Sequence, residues 1–301
     1  MMRFACCVLP LLVLLGAAAV HAEKNNEKTV SSMSENGTNA IPPEKQIIVD
    51  ALGLARSMRA EDHAELLARL TSPDFLAELD DETAYAGRPE RLRLRRIMDE
   101  LTRNPLAGAR QVLVALTTSR AFMAEDARID LLIAASSVIK PPPPEVVRFW
   151  DAHWQPDDGF SNLTVAAVVK NGDEAAVALL EKKMANPDFD MEEKLHWLHG
   201  PLLSHRLDLP LLQSCERMLL TGLPADLEVK LVETLFDYRP EEWYLPSIPY
   251  NPPLLEIAGE AVLLQVQKIG VMARERFALD ARLEARVKMT LEQVQKLLEA
   301  R

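Results

Sequence analysis

The residues that could do chemistry are concentrated in a few short stretches. "HWLHGPLLSH" holds His196, His199 and His205. Glu192, His196 and His199 stand at i, i+4 and i+7, so a continuous helix from Asp190 would set them in one stripe. Two neutral imidazoles and a carboxylate so placed could bind Zn²⁺ and leave a fourth position open. The bland reading is that the histidines border the apolar stripe Met191, Leu195, Leu198 and Leu202, on a shoulder that faces an edge or a neighbouring hairpin. There is no HExxH, and His205 lies beyond Gly200-Pro201 and need not share the face.

A second stretch, "FWDAHWQPDDGFSN", gathers Trp150, His153 and Trp154 with three aspartates. Aromatic rings beside carboxylates can stack on sugars or anchor a protein partner, where tryptophan is enriched among hot spots. The alternative is packing at a helix end, with Asp157-Asp158-Gly159 as the turn. The acids do not recur at alternate positions before the glycine, which argues against a calcium loop. Trp243 and Tyr244, with Tyr250, form another aromatic group in the proline-rich "RPEEWYLPSIPYNPP". Cys215 sits in the stripe Leu211, Leu212, Cys215, Met218 and Leu219, which reads as core rather than as a nucleophile. "RPERLRLRRIMDE" spreads Arg88, Arg91, Arg93, Arg95 and Arg96 around a helix between acids, which reads as a solvated face. Beyond residue 22 no GxSxG, P-loop, GxGxxG or CxxC occurs. No catalytic residue and no cofactor is assigned, and zinc at Glu192, His196 and His199 is the one candidate metal.

These stretches must be held by a scaffold, and the rest of the chain says which. Residues 1–22 read as a secretory signal peptide: Arg3, an apolar run from Phe4 to Val20, and Val20-His21-Ala22 before a cut at Glu23. The expected location is therefore periplasmic or secreted. Arg3 leaves with the leader, which takes the net charge from −11 to −12. Such acidity disfavours nucleic acid as a partner. Cys6 and Cys7 leave too, so no internal disulfide can form and stability rests on apolar burial. Residues 23–44 read as a disordered polar tether that carries a sequon at Asn36; a second sequon stands at Asn162.

From Lys45 the pattern is helices punctuated by prolines, with cap-and-proline starts at Ser72-Pro73 and Asn104-Pro105 and a stop and restart at Pro141 to Pro144. Leu283, Val287, Leu291, Val294 and Leu298 share one face of a late helix. An internal repeat is the strongest signal. "DEAAVALLEKKMANPDFDMEEKL" from Asp173 matches "DLPLLQSCERMLLTGLPADLEVKL" from Asp208. The first halves align at an offset of 35, pairing Leu180 with Cys215, Glu181 with Glu216, Lys182 with Arg217 and Met184 with Leu219. The second halves align at 36, pairing Asp190 with Asp226, Met191 with Leu227 and Leu195 with Leu231. Each unit reads as helix, turn, helix, at a period typical of helical-hairpin stacks.

On those residues, the acidic starts Asp173 and Asp208, the Leu/Met ladder and the acid-then-Lys-Leu opening of the second helix, the chain resembles HEAT-like repeats of the phycobilisome lyase-like type. The resemblance covers about Gly172 to Tyr238 and extends weakly back to Asn104. It implies an all-α, right-handed α-solenoid of stacked hairpins; it does not imply lyase activity, because such a scaffold has many uses. The expected organisation is a repeat domain over 45–239, a proline-rich linker or strap over 240–253, and C-terminal helices over 254–301 divided near Gly270. The expected function is non-catalytic binding of a protein or peptide partner. The alternatives are a zinc-dependent factor using Glu192, His196 and His199, and a glycan-binding envelope protein using Trp150 and Trp154.

Overall fold

The computed structural model describes residues 51, 54–55, 62–77, 89–104, 106–156, 158–205, 207–238, 248–249 and 255–301. The expectations for 1–44, and for Trp243, Tyr244 and Tyr250, lie outside them. The protein is all-α, with a single two-residue antiparallel bridge among the described residues, β1 (Asp237–Tyr238) with β2 (Ile248–Pro249). The helices are α1 (His63–Leu70), α2 (Pro89–Arg103), α3 (Ala107–Leu116), α4 (Asp126–Ser136), α5 (Pro144–Ala152), α6 (Ser161–Asn171), α7 (Glu174–Ala185), α8 (Met191–Trp197), α9 (Leu209–Thr221), α10 (Ala225–Phe236), α11 (Glu260–Arg276) and α12 (Ala281–Glu299). No described helix is long and apolar enough to cross a membrane.

The chain's punctuation sets these boundaries. Pro143 and Pro144 open α5, where the missing N–H is tolerated. Asn104 accepts from Leu106 N–H just before α3. Asp173, Asp190 and Asp280 cap α7, α8 and α12 through their carboxylates. Gly172, at φ +64°, turns the end of α6 straight into α7 in a conformation that other residues adopt at a cost. The preceding Asn171 is fully buried. Its amide donates to Ser137 O and Ile139 O, both at 2.9 Å, and its oxygen accepts from Asp173 N–H. One side chain thus ties the α4–α5 connection to the α6–α7 turn.

Alternate helices pack side by side. α2 contacts α4, α4 contacts α6, α6 contacts α8, α8 contacts α10 and α10 contacts α12. In the other set α1 contacts α3, α5 contacts α7, α7 contacts α9 and α9 contacts α11. Their inward stripes form one continuous apolar core that runs from Leu66 to Val294.

Within α9 the stripe expected from the sequence is buried throughout: Leu211, Leu212, Cys215, Met218 and Leu219. In α12 Leu283, Val287 and Val294 are buried, and Leu291 and Leu298 pack against them. Two expectations are corrected. Gly270 does not divide the C-terminal helices; α11 runs through it, and the break falls at Phe277–Asp280. The glycine is there because α12 passes close: a Cβ at 270 would come within 2.9 Å of a Leu291 methyl. In the stripe expected for α8 and its continuation, Leu198 and Leu202 are buried and Leu195 packs against the core, but Met191 is exposed, and Lys194 and Trp197 are buried instead.

Candidate functional site

Trp150 and Trp154 are fully buried. Trp150 Nε1 donates to Ser136 Oγ at 2.8 Å. Trp154 meets Trp197 edge to face at 5.1 Å, and Trp197 meets Phe189 at 4.9 Å. The expectation that Trp150 and Trp154 present rings to a glycan or partner is corrected: they are core, holding α5 against α4 and the turn before α6 against α8. His153, half-buried, lies between Phe149 and Phe160, with ring centroids at 4.9 and 5.4 Å. Burial lowers its pKa, against the opposing pull of the Asp158 and Asp126 charges.

Two lysines that the sequence reading did not single out are buried here, Lys183 and Lys194. Lys183 Nζ pairs with Asp151 Oδ1 at 2.7 Å and donates to the carbonyls of Asp151 and Trp154. It also lies 5.6 Å from the centre of the Phe189 ring. A cation at the C-terminal end of α5 satisfies carbonyls that the helix leaves open and complements its dipole. Burial alone would raise the Asp151 pKa, but the hydrogen bonds and charges of Lys183 and Lys182 outweigh it and hold the carboxyl below its ordinary value. Lys194 Nζ donates to Asn186 O at 2.6 Å and closes the α7–α8 turn. Burial lowers its pKa, with Glu193 and Asp190 opposing. A signal for Lys183 existed: at the repeat offset it stands opposite Met218, an inward position.

Glu192, His196 and His199 do not form a metal centre. Among the described residues no group of three His, Cys, Asp or Glu side chains could hold a metal ion. The stripe assumed a continuous α-helix. Instead α8 passes into a π turn at Leu198–Leu202, so the i, i+4, i+7 spacing does not run along one continuous α-helix. His205 has a local role: its Nδ1 lies 2.9 Å from Asp208 Oδ2, bracing the entry to α9. Cys215 is fully buried, and burial pushes its thiol up to about 12, the opposite of an activated nucleophile.

Among the described residues of the repeat region, a groove of about 610 Å³ lies between α7 and α9. Gly172, Asp173, Glu174 and Pro210 line it at the helix starts, Val177 and Ala178 along its floor, and Gln213, Glu181 and Arg217 further along. The far end is bridged by Arg217 Nη2 to Glu181 Oε1 at 2.7 Å.

That bridge belongs to a series of pairs along one set of helices. Lys182 of α7 reaches back to Asp151 of α5 at 2.9 Å, Arg217 of α9 to Glu181 of α7, and Lys268 of α11 to Glu216 of α9 at 2.7 Å. The adjacent pairs Glu181-Lys182 and Glu216-Arg217 each face both ways. Ala152 follows Asp151, and Gln267 precedes Lys268, so the ladder has a first rung and a last. Gln267 bonds instead to Gln295 of α12. Comparison with models of known protein families, with curated proteins and with solved structures finds no match to this chain.

Proposed function

We propose that this protein is an exported, non-catalytic scaffold, a HEAT-like α-solenoid that binds a protein or peptide partner along its stacked helices. The observation that carries the reading is the packing of alternate helices in two sets, the neighbour-to-neighbour contact by which thin hairpins share a core. The one-way ion-pair ladder supports the same register. Such stacking leaves long grooved surfaces suited to extended partners. Further support comes from how the reactive groups are used. The buried tryptophans, cysteine and lysines all serve packing or backbone closure. The leader-like character of residues 1–22 supports a location outside the cytoplasm.

The test is capture with the purified protein from an envelope and secreted fraction, followed by titration against each captured protein after separate purification. The scaffold reading expects at least one direct, saturable complex. If every captured protein fails to bind in isolation, the reading falls.

A further inference from the structure

We propose that the α7–α9 groove is the docking site for an extended basic peptide segment, one that alternates cationic with small apolar side chains. This deepens the scaffold reading and rests on it. The groove sits at the junction of the two repeat units. Its floor is apolar, from Val177 and Ala178, with Pro210 at the rim. Its lining carries three carboxylates, Asp173, Glu174 and Glu181, against one cation, Arg217. That cation is already engaged by Glu181 through both Nε and Nη2. Asp173 spends one oxygen on Ala175 N–H, and Glu174 is exposed. The excess negative charge therefore lies at the open end, beside the helix starts, and the whole chain reinforces it at −11. Complementary charge of this kind selects partners and speeds their encounter.

The length of the groove suits a short extended segment. From Glu174 to Glu181 the groove follows two turns of α7, a length of about 10 Å, or about three residues of extended chain. Successive side chains of a strand point to opposite sides. A segment lying in the groove would set alternate small residues on Val177 and Ala178 and turn the intervening basic ones toward Glu174 and Asp173.

The test is fluorescence anisotropy of the full protein with a labelled octapeptide of alternating lysine and alanine, beside its glutamate–alanine counterpart. The basic peptide should bind saturably, weaken as salt rises, and outcompete the acidic one by at least about tenfold, a difference of about 1.4 kcal/mol. Glu174→Lys should weaken it by a similar factor, and Ala178→Trp, which fills the floor, should abolish it. Glu292→Lys on α12 should change neither. Equal binding of the two peptides overturns the proposal, as does undiminished binding to Glu174→Lys. Should Ala178→Trp misfold, its melting curve will show it, and the exposed Glu174 variant decides alone. A captured partner that still binds Ala178→Trp with full affinity removes the groove but leaves the scaffold standing. Absence of any partner or peptide complex removes both.

Discussion

The two sequence-matched units share a register but not an interior. In their first helices, α7 and α9, the 35-residue offset pairs buried with buried: Ala176 with Leu211, Val177 with Leu212, Leu180 with Cys215, Met184 with Leu219. Their second helices depart. α10 is a regular helix of 12 residues, whereas α8 has 7 and continues as a π turn around Pro201. α8 opens with a full capping box between Asp190 and Glu193; α10 opens at Pro224 with no side-chain cap. At the inward position shared by Lys183 and Met218, one unit buries a charge and the other a thioether. The lesson is that packing between neighbours does not by itself impose a common spacing: α7 and α9 keep one, while α8 and α10, packed between neighbours in the same way, do not. The second helices are free to differ as long as each fills its own gap, one with Trp197 and Lys194, the other with Leu227, Leu231 and Leu235.

The comparison can be broken most forcefully at the aromatic centre. Trp197→Ala removes the ring that both Trp154 and Phe189 pack against. It should cost about 3–5 kcal/mol in urea denaturation. Leu219→Ala, in the apolar unit, should cost about 2–5 kcal/mol. A loss below about half a kcal/mol at either site would mean that the residue is not core.

Lys183→Met installs the residue that the second unit uses. If the units were interchangeable the variant would be neutral. The expected result is a loss of about 2–4 kcal/mol, because the Trp154 carbonyl loses its donor, the Asp151 carbonyl keeps only Gln155 Nε2, and the Asp151 carboxylate keeps only Lys182. A variant as stable as the parent would show that the buried charge contributes nothing to this unit.

These expectations mark where the sequence was legible. The helix class, the inward stripes of α9 and α12, and the burial of Cys215 all follow from periodicity and punctuation, which act locally. The first-helix offset was legible because apolar identity recurs at it. The second-helix offset of 36 is not a structural register: it pairs exposed Met191 with buried Leu227 and exposed His196 with buried Val232. Matches between acids or lysines do not carry the weight of packing matches, since Asp190 caps α8 while Asp226 lies inside the first turn of α10. The tryptophans misled in another way. Trp150 and Trp154 are amphipathic, and only tertiary neighbours such as Ser136 and Trp197 decide whether such a ring faces a ligand or the core.

Acid titration sharpens the difference between the units. The folded Asp151 carboxyl titrates below its ordinary 3.8, since its two lysines outweigh burial. For a depressed acid the stabilisation is present above the unfolded value and is lost as pH falls through the folded one. The protein should therefore lose stability below about pH 4, and Asp151→Asn should make that decline shallower. Glu216, also held low by Lys268 and Gln265 against the effect of burial, adds to the same decline from the second unit. An Asp151→Asn profile that runs parallel to the parent's would mean that the lysines do not engage the carboxylate in solution.

The smallest effect belongs to the ladder. Lys182, Arg217 and Lys268 are largely solvent-exposed, so each rung contributes about 0–1 kcal/mol. Its consequence is register rather than stability. Each of these bases has a carboxylate two helices back along the chain, and the series stops at Gln267. Arg217→Glu places three carboxylates together, the new one with those of Glu181 and Glu216, and should destabilise by about 1 kcal/mol at low salt, less at high salt. Adding Glu181→Arg restores an opposed pair across α7 and α9. It also sets the introduced guanidinium beside Lys182 and the introduced carboxylate beside Glu216, reversing the polarity on which neighbouring rungs depend. Recovery in the double variant should therefore be partial. Complete recovery would show that the rungs act as independent pairs and that the one-way order of the charges carries no information about how the helices stack.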